Sequence, residues 1–469
     1  MVTALSGLPA DIRTAIASVV ASGGLGDVII PTAIGVTPDN KWHWNGDRFN
    51  VPAGVNIFGV GLAGCMDYKN NWIRIPASTM IFDDHIPTAT NGVTSFTVDG
   101  SIQYVPTGRR TRISGLQIEY VAPANAAAEA WNTGEGSCAV GLINAPLNYR
   151  IDHCTFINAF GNAVSVGSDW NHLYPAYGLV DHCLLDLPYK ETPEPTGQGW
   201  LAGYGVFCSG AMHTDNYVDD VTKFAAKYEA ISAAPLAIVE DCHFSNYRHG
   251  LITYVGGVIQ ARHCLFQPPA RYQMQDVSIG DVDQHGGGWG NNAAGELIEI
   301  YNSVFTGRPN FGTEAIALKG GHALIHHNVF HPPDLGNWKQ CLVYLDSMGA
   351  NDISQSYIWD NDVTNAPEIL DATGYTEGVQ YHHRAPTATE LPASGFPGFS
   401  YIDAINTYGV PYPYPHPLIP RPSYNLQVKA NPAILAYVNV DNAGRLLMPY
   451  AKTLDEGTHL IIVDSEVNI

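Results

Sequence analysis

A short motif repeats along the chain, and this repeat limits the possible folds more than any other feature. The motif is a polar residue, a small residue, any residue and a large apolar residue. Its copies begin at His153, His182, Asp241, His263, Asn302, His327 and Asp360. The large apolar residues of successive copies lie between 22 and 59 residues apart, in no regular order. Such spacing is expected when coils of short strands are joined by loops of changing length.

The segments between the motif copies have the character of strands. Short runs rich in β-branched and apolar residues occur at 163–166, 251–254 and 315–318. One coil cannot bury its apolar face alone, so coils must stack at the ordinary strand separation of about 4.8 Å. The chain also has 47 Gly and 31 Pro with only 14% charged residues, a composition that suits strands and turns. We therefore predict an all-β, single-stranded parallel β-helix.

The start of the chain supports this fold and points to a family. A short amphipathic helix is predicted from Ile12, Ile16, Val19 and Val20, followed by Gly-Asp-Val-Ile-Ile-Pro at 26–31 and a Gly-rich segment at 51–61. Together with the repeat, this layout resembles the pectate-lyase-like superfamily of right-handed parallel β-helices, over about residues 5–370. That superfamily includes lyases, hydrolases, phage tailspikes and adhesins, so the fold alone does not decide the function.

The resemblance implies three regions. Residues 1–25 form an N-terminal capping helix, 26–370 form the β-helix, and 371–469 form a Pro- and Tyr-rich stretch that packs on or caps it. Long loop insertions are predicted at 186–236, where a helix is expected over 217–231, and at 268–295 and 331–353. Long loops on a repeat scaffold build the walls of a binding groove.

Four cysteines share one position of the repeat. Cys154, Cys183, Cys242 and Cys264 occupy the place that Ser303, Asn328 and Asn361 take in later copies. Because Ser and Asn replace Cys there, a column of small residues packed at a corner is favoured over a redox or metal site. The histidines before Cys154, Cys183 and Cys264 are interpreted in the same way, as a structural column.

Charge and hydropathy exclude several classes of partner. The chain has 23 Lys and Arg against 44 Asp and Glu, a formal charge of −21. A protein that binds nucleic acid without specificity carries the opposite excess, so no nucleic-acid partner is expected. No run of about eighteen apolar residues exists, and no membrane span is predicted. The first twenty residues lack the basic and apolar regions of a secretory signal. An extracellular or virion-associated location is what the resemblance implies.

The segment 281–289 carries the densest set of chemically active side chains. Asp281 and Asp283 could bind Ca²⁺, which takes several oxygen ligands, or one of them could act as a general acid. His285 is suited to proton transfer near neutral pH. Trp289 offers a flat face to a sugar ring. The alternative is a surface turn in which Asp side chains cap backbone N–H groups.

Alignment of the coils brings cations near this segment. Arg248 and His249 precede the strand at 251–254, and Lys319 follows the corresponding strand of a later coil. In β-elimination a base removes the proton at C5 of a uronate while a cation neutralises its carboxylate. Catalytic roles are therefore predicted for His285, Arg248, His249, Lys319 and Asp283. Pairing of these cations with acidic residues on a solvated face is the alternative for each.

Other features limit the substrate and the chemistry. The sequence has no Arg-x-Pro-x-x-Arg motif of pectate lyases and no Asp-Asp followed by Arg-Ile-Lys as in polygalacturonases, so pectin is not supported. Tyr204 and Tyr254 are predicted to bind sugar together with Trp289. A hydrolase would need two carboxylates about 5 to 10 Å apart, for which Asp281 or Asp283 could pair with Glu296 or Asp346.

These observations lead to one main prediction and three alternatives. The main prediction is an enzyme that cleaves a polysaccharide in a groove along the β-helix, by β-elimination on a uronate-containing glycan, with Ca²⁺ as the one cofactor considered. The first alternative is a glycoside hydrolase. The second is a non-catalytic glycan-binding tailspike or adhesin, for which a homotrimer is considered, and the third is a purely structural β-helix.

Overall fold

The chain contains two compact units, Met1–Pro397 and Gly398–Ile469. In the second unit the strands Asn439–Val440 and Leu446–Leu447 form an antiparallel pair. The computed structural model describes residues 1–52, 54–60, 64–66, 73–75, 79–83, 94–99, 111–120, 138–143, 149–159, 162–167, 177–187, 204–209, 236–247, 249–254, 257–267, 281–285, 295, 297–307, 314–332, 340–346, 353, 355–371, 374–387, 390, 439–440 and 446–447.

Three long parallel sheets make up the first unit. The first sheet has twelve strands, which are Val2–Thr3, Gly26–Ile29, Val55–Phe58, Thr111–Ser114, Tyr149–Asp152, Tyr177–Asp181, Leu236–Glu240, Val258–Arg262, Leu297–Tyr301, His322–His326, Ser356–Trp359 and Tyr381–His382. The second sheet has ten, which are Trp42–His43, Thr79–Asp83, Leu116–Tyr120, Thr155–Ile157, Leu184–Asp186, His243–Ser245, Leu265–Gln267, Val304–Phe305, Val329–Phe330 and Asp362–Val363.

The third sheet completes each coil. Its ten strands are Phe49–Pro52, Thr94–Asp99, Cys138–Ile143, Asn162–Gly167, Tyr204–Ser209, His249–Tyr254, Val282–Gln284, Glu314–Leu318, Cys341–Leu345 and Ile369–Asp371. The strands Gly64–Met66 and Ile73–Ile75 form a separate antiparallel pair. The chain passes from the first sheet to the second and then the third before it returns to the first. The prediction of an all-β, right-handed parallel β-helix is confirmed.

A single residue makes the corner between the first and second sheets. His153, His182, Asp241, His263, Asn302, His327 and Asp360 all have φ between 50° and 55° there. Left-handed backbone is tolerated best by Gly and by residues with short polar side chains. The first position of the repeated motif is therefore the left-handed turn residue, and the large apolar residue three places later points into the coil.

The small residue of the motif packs inside this corner. Cys154, Cys183, Cys242, Cys264, Ser303 and Asn328 are all at most 1% exposed. The thiol of Cys154 donates to the carbonyl of Asp152 at 3.3 Å. In later coils, Oδ1 of Asn328 accepts the N–H of Ser303 at 3.1 Å. Small side chains with local polar partners fill the corner, as the sequence predicts.

Burial makes the described cysteines poor nucleophiles. It raises the pKa of the Cys242 thiol to about 11 and of the Cys208 thiol to about 12. The thiolate is the reactive form, so these thiols stay unreactive while the protein is folded. We expect iodoacetamide at pH 8 to leave Cys154, Cys183, Cys242 and Cys264 unlabelled until urea is added. Peptide mapping checks this, and labelling of these four in native buffer would contradict it.

The helix Pro9–Ala21 lies at the N-terminal end of the coil. It buries Ile12, Ala15, Ile16 and Val19. Val20, predicted to share that apolar face, is 39% exposed, because it lies one position around the helix from Val19. The strand Val2–Thr3 precedes the helix and pairs with Gly26–Ile29, so the first sheet begins before the predicted cap. At the other end, the first sheet continues past residue 370 to Tyr381–His382.

Several predictions fall outside the described residues. They are the helix at 217–231, most of the three loop insertions, and most of the Pro- and Tyr-rich stretch at 371–469. No helix among the residues described is long and apolar enough to cross a membrane.

A column of buried polar side chains lies along the outer face of the first sheet. Register places Asp152, Asp181, Glu240, Arg262 and Tyr301 side by side on successive coils. Their neighbours in the strands face the core, which leaves this column on the opposite face. All but Tyr301 are 0% exposed, and Tyr301 is 4% exposed. Buried charges of this kind require partners.

One ion pair at the edge of this column makes stability depend on pH. His182 Nδ1 donates to Asp181 Oδ2 at 2.8 Å. Burial opposes protonation of His182, but the charges of Asp181 and Asp241 raise its pKa to about 9. A group whose pKa is raised on folding stabilises the protein fully below its unfolded pKa, near 6.5, and this contribution is lost as the pH rises through 9.

We therefore expect His182→Gln to cost on the order of 1–3 kcal/mol of the free energy of unfolding at pH 6. At pH 9.5 the cost should shrink to a fraction of that, because wild-type His182 is then neutral. Urea unfolding of both proteins at the two pH values measures the difference. An equal cost at pH 6 and pH 9.5 would show that the charge of His182 contributes nothing.

Candidate functional site

The outer face of the third sheet brings together three of the predicted catalytic residues. In these strands Leu251, Val282 and Ile316 share one register position and face the core. Side chains alternate along a strand, so Asp283 lies on the outer face. His285 and Lys319 follow the strand positions Gln284 and Leu318, which are paired with each other, and so they are adjacent on neighbouring coils.

The centre of the site is the carboxylate of Asp283. Its Oδ2 accepts hydrogen bonds from Lys319 Nζ at 3.0 Å and from His285 Nδ1 at 2.9 Å. His249 Nε2 lies 3.5 Å from the same oxygen. The side chains of Asp283 and His249 are 0% exposed and that of Lys319 is 3% exposed, whereas that of His285 is 29% exposed. His285 is therefore the member of this cluster that solvent or a ligand reaches.

Electrostatics keep Asp283 ionised. Burial alone would raise the pKa of its carboxyl group. The positive charge of Lys319 and the imidazoles of His285 and His249 outweigh burial and hold that pKa well below its usual range. Oδ1 of Asp283 is buried, and no donor among the described residues lies on it. Lys319 and His285 thus donate to the same carboxylate oxygen, Oδ2.

The pKa of a second carboxyl group, that of Asp346, is raised where that of Asp283 is lowered. Asp346 follows the strand Cys341–Leu345, and its N–H bonds to the carbonyl of Leu318 at 2.9 Å. It occupies on its coil the place that Lys319 has on the coil before. Burial and the charge of Asp283 raise the pKa of Asp346, although Lys319 opposes them. Two carboxyl groups whose surroundings shift their pKa values apart are typical of acid–base sites.

A local irregularity in the strand explains why His249 is near Asp283. In a regular strand His249 would share a face with Leu251, which is in the core. Between them, a Cβ on Gly250 would lie within 3.0 Å of Phe244 and 3.1 Å of Phe266, so Gly250 also faces the core. Because Gly250 and Leu251 both face the core, the alternation of side chains is interrupted and His249 lies on the outer face. Its complete burial means that it does not contact a substrate directly.

The two tyrosines predicted to bind sugar pack against the histidines. The ring of Tyr204 stacks on that of His249 with centroids 5.6 Å apart, and Tyr254 lies 5.3 Å from His285. Tyr204 is 6% and Tyr254 7% exposed. Little ring surface is left for a sugar, so the geometry assigns both rings to support of the imidazoles. Their role in sugar binding stays a prediction.

The remaining predicted residues divide into two groups. Arg248, Trp289 and Glu296 lie outside the described residues, so their roles stay predictions. Asp281 is 6% exposed, and its backbone carbonyl accepts the N–H of Leu251 at 3.1 Å.

The residues around Asp283 do not fit Ca²⁺. Calcium requires six to eight oxygen ligands. Oδ2 of Asp283 already receives an ammonium and an imidazole donor, and both would repel a cation or compete with it. Among the described residues, no group of three or more His, Cys, Asp or Glu side chains is arranged to hold a metal ion. Dependence on calcium stays a prediction of the sequence.

The structure places one further residue on the outer face of the third sheet near Asp283, which the sequence did not indicate. Tyr344 lies in the same register column as Asp283, with Ala317 between them. It is half-buried. Alignment of the strand Cys341–Leu345 with Glu314–Leu318 would have revealed this position, because it places Tyr344 opposite Ala317.

Comparisons with known proteins give similarity of fold only. No protein-family model matches the sequence, and no curated protein matches it. The surface adhesin PfbA of Streptococcus pneumoniae is 12% identical, with a TM-score of 0.45 over 78% of this chain and 90% of the adhesin. DFA-IIIase from Arthrobacter chlorophenolicus A6 is 10% identical, with a TM-score of 0.39 over 82% of this chain and 97% of that enzyme. The tailspike of E. coli bacteriophage HK620 is 11% identical, with a TM-score of 0.36 over 79% of this chain and 60% of the tailspike.

Proposed function

We propose that this chain is a carbohydrate-active enzyme that cleaves a polysaccharide on the outer face of the third sheet, with His285 as general base. One observation carries the proposal: the Asp283–His285 hydrogen bond of 2.9 Å, in which the carboxylate is buried and the imidazole is partly exposed. A carboxylate that binds Nδ1 of an imidazole fixes its tautomer and leaves Nε2 as the basic nitrogen. That arrangement serves proton abstraction.

The reaction that this base supports best is β-elimination on a uronate. Nε2 of His285 accepts the proton from C5, and the electron pair of that C–H bond forms the C4–C5 double bond. The C4–O bond breaks, and its oxygen leaves with the bonding pair and takes up one proton. We assign this proton to Asp346, whose pKa is raised and which lies next to Lys319 on the following coil. The uronate carboxylate needs a cation, and Arg248 is the residue that we assign to it.

Lys319 is placed to act on Asp283. The sequence predicts a catalytic role for it, as base or as the cation beside a substrate carboxylate, with pairing to an acidic residue as the alternative. Its ammonium group lies 3.0 Å from Asp283, and the side chain is 3% exposed. We infer that Lys319 keeps Asp283 ionised and so acts on His285 through Asp283.

Hydrolysis is the second candidate, and the opposite pKa shifts of the two carboxyl groups favour it. The ionised Asp283 would activate water or stabilise positive charge, while Asp346 would protonate the leaving oxygen. The complete burial of Asp283 counts against direct attack by this residue. Elimination with His285 as base is therefore preferred.

The test is incubation with a panel of acidic and neutral polysaccharides, with Ca²⁺ and with a chelator. Reducing ends report cleavage, and ultraviolet absorbance reports the C4–C5 double bond. New ends with new absorbance are expected. New ends without absorbance would move the assignment to hydrolysis. Saturable binding to one glycan without product would instead show a non-catalytic binding protein, extracellular or virion-associated, for which sedimentation would test the homotrimer.

A further inference from the structure

A buried glutamine lies directly behind the cluster around Asp283. Gln284 stands between Asp283 and His285 in the sequence, and it is 0% exposed. Side chains alternate along the strand Val282–Gln284, so Gln284 faces the core while Asp283 faces outward. On neighbouring coils the same register position is taken by core residues that are also 0% exposed, namely Val166, Cys208, Leu318 and Leu345. A buried amide in such a position is costly unless it is hydrogen-bonded.

The amide group of Gln284 donates to two backbone carbonyls. Its Nε2 bonds to the carbonyl of His322 at 2.9 Å and to that of Gly295 at 3.1 Å. These two acceptors fix the orientation of the amide, because its oxygen would repel both. The backbone carbonyl of Gln284 in turn accepts the N–H of Lys319 at 3.2 Å. One residue therefore holds the turn from Lys319 to His322 at both ends.

The turn that Gln284 holds consists of two glycines. Gly320 has a φ of 149° and Gly321 a φ of 72°. Glycine adopts such angles without strain, but it loses more conformational entropy on ordering than any other residue. A bridge to Ile353 restrains Gly321 from the following coil, and Gln284 restrains the turn from the preceding one. The position of the Lys319 backbone depends on these bonds.

We propose that Gln284 is a positioning residue, which sets the place of Lys319 relative to Asp283 and His285. The inference rests on the proposed function, in which ionised Asp283 holds His285 as the base. Lys319 Nζ lies 3.0 Å from Oδ2 of Asp283, on the neighbouring coil. Gln284 belongs to the coil of Asp283 and binds both ends of the turn that begins at Lys319. It therefore fixes the two coils against each other from inside the fold.

Replacement of Gln284 by methionine tests this role. Gln284→Met keeps an unbranched side chain of similar size and removes both donors. On the polysaccharide that wild type cleaves, kcat should fall by about 10- to 100-fold, because a small misplacement of a catalytic group has an effect of this size. KM should stay within about threefold, because Gln284 is buried and does not contact substrate. Gln284→Asn, which keeps an amide of shorter reach, should change kcat in the same direction.

Chemical labelling tests the same role without a substrate. The full chain is treated with sulfosuccinimidyl acetate, and peptide mapping gives the rate of acetylation at each lysine. The side chain of Lys319 is 3% exposed and that of Lys41 is 26% exposed. In Gln284→Met we expect Lys319 to be acetylated at least about fivefold faster than in wild type, because the turn opens locally more often. Lys41 should react at the wild-type rate.

Gln260→Met is the matched control. It removes another buried amide, which is 3% exposed and donates to Glu299 in the first sheet. Both kcat and the acetylation of Lys319 should stay as in wild type. Urea unfolding of the two methionine variants compares their losses of stability.

The outcomes separate this inference from the proposed function. An unchanged kcat in Gln284→Met, or acetylation of Lys319 at the wild-type rate, would overturn the positioning role. An equal fall of kcat in Gln260→Met would also overturn it, since loss of any buried amide would then suffice. If wild type cleaves no polysaccharide, faster acetylation of Lys319 in Gln284→Met would still support the positioning of Lys319, and the enzyme assignment alone would fail.

Discussion

Replacement of His285 by alanine is expected to lower the rate of glycan cleavage by about 10²- to 10⁴-fold, the usual contribution of a positioned general base. His285 is the exposed end of a chain of contacts that begins at the buried Lys319 and passes through Asp283. The variant removes the proton acceptor without disturbing the core, because its side chain is 29% exposed. Initial rates from ultraviolet absorbance measure the effect.

Two controls distinguish loss of the base from damage to the fold. His331→Ala removes a histidine that is 48% exposed and follows a strand of the second sheet, and it should leave the rate unchanged. Added imidazole should restore part of the activity of His285→Ala, because a small base can occupy the space left by the ring. A rate within threefold of wild type in His285→Ala would remove the base from this site and direct the search to Arg248.

Asp283→Asn tests the buried residue that positions His285. An amide can no longer hold the Nδ1–H tautomer by its charge, and it leaves the ammonium group of Lys319 buried without a counter-ion. Both rate and stability should fall in this variant, whereas His285→Ala should lower the rate and cost only the stability of one hydrogen bond to Asp283. This difference between the variants identifies Asp283 as a residue that positions the base.

The fold was predictable because each position of the repeat answers one physical need. The residues at His153 and Asn302 must tolerate left-handed backbone, and those at Cys154 and Ser303 must fit inside a corner. Because every coil needs a turn residue and a small corner residue, the same residue types recur along the sequence as a motif. The exposed Val20 was predicted wrongly because an amphipathic pattern does not fix the width of the face that a helix buries.

The site was predictable only in part, because the sequence shows which residues are aligned on neighbouring coils but not which side chains are buried. Asp283 and His285 are close in sequence, and alignment of the coils placed Lys319 beside them. The burial of Lys319, and hence its pairing with Asp283, depends on the side chains packed around it, and spacing does not report that. His249 reaches Asp283 only because two successive residues, Gly250 and Leu251, face the core. The position of Tyr344 follows from the pairing of Cys341–Leu345 with Glu314–Leu318, two strands separated by a long insertion.

The largest loss of stability is expected at the ion pair between Glu240 and Arg262. Both side chains are 0% exposed, and Arg262 Nε donates to Glu240 Oε1 at 2.6 Å while its Nη1 donates to the hydroxyl of Tyr301 at 2.7 Å. Glu240→Gln removes the negative charge and leaves the guanidinium group buried beside a neutral amide. Breaking a buried pair in this way costs about 3–5 kcal/mol of the free energy of unfolding. The midpoint and slope of urea unfolding measure it.

The double variant Glu240→Leu with Arg262→Met shows whether the ion pair itself stabilises the fold or whether the loss in Glu240→Gln comes from the unpaired charge that is left behind. Desolvation of two charges offsets most of their mutual attraction, so replacement of both by apolar residues of similar size should restore much of the stability lost in Glu240→Gln. A double variant as unstable as the single one would mean that the hydrogen bond to Tyr301 and the packing around Arg262 carry the energy. The same reasoning applies along the column to Arg150 and Asp181, whose side chains are 6% and 0% exposed. The Arg150–Asp181 and Arg262–Glu240 pairs each join neighbouring coils, so they favour one register of the stacked coils over a register shifted by one residue.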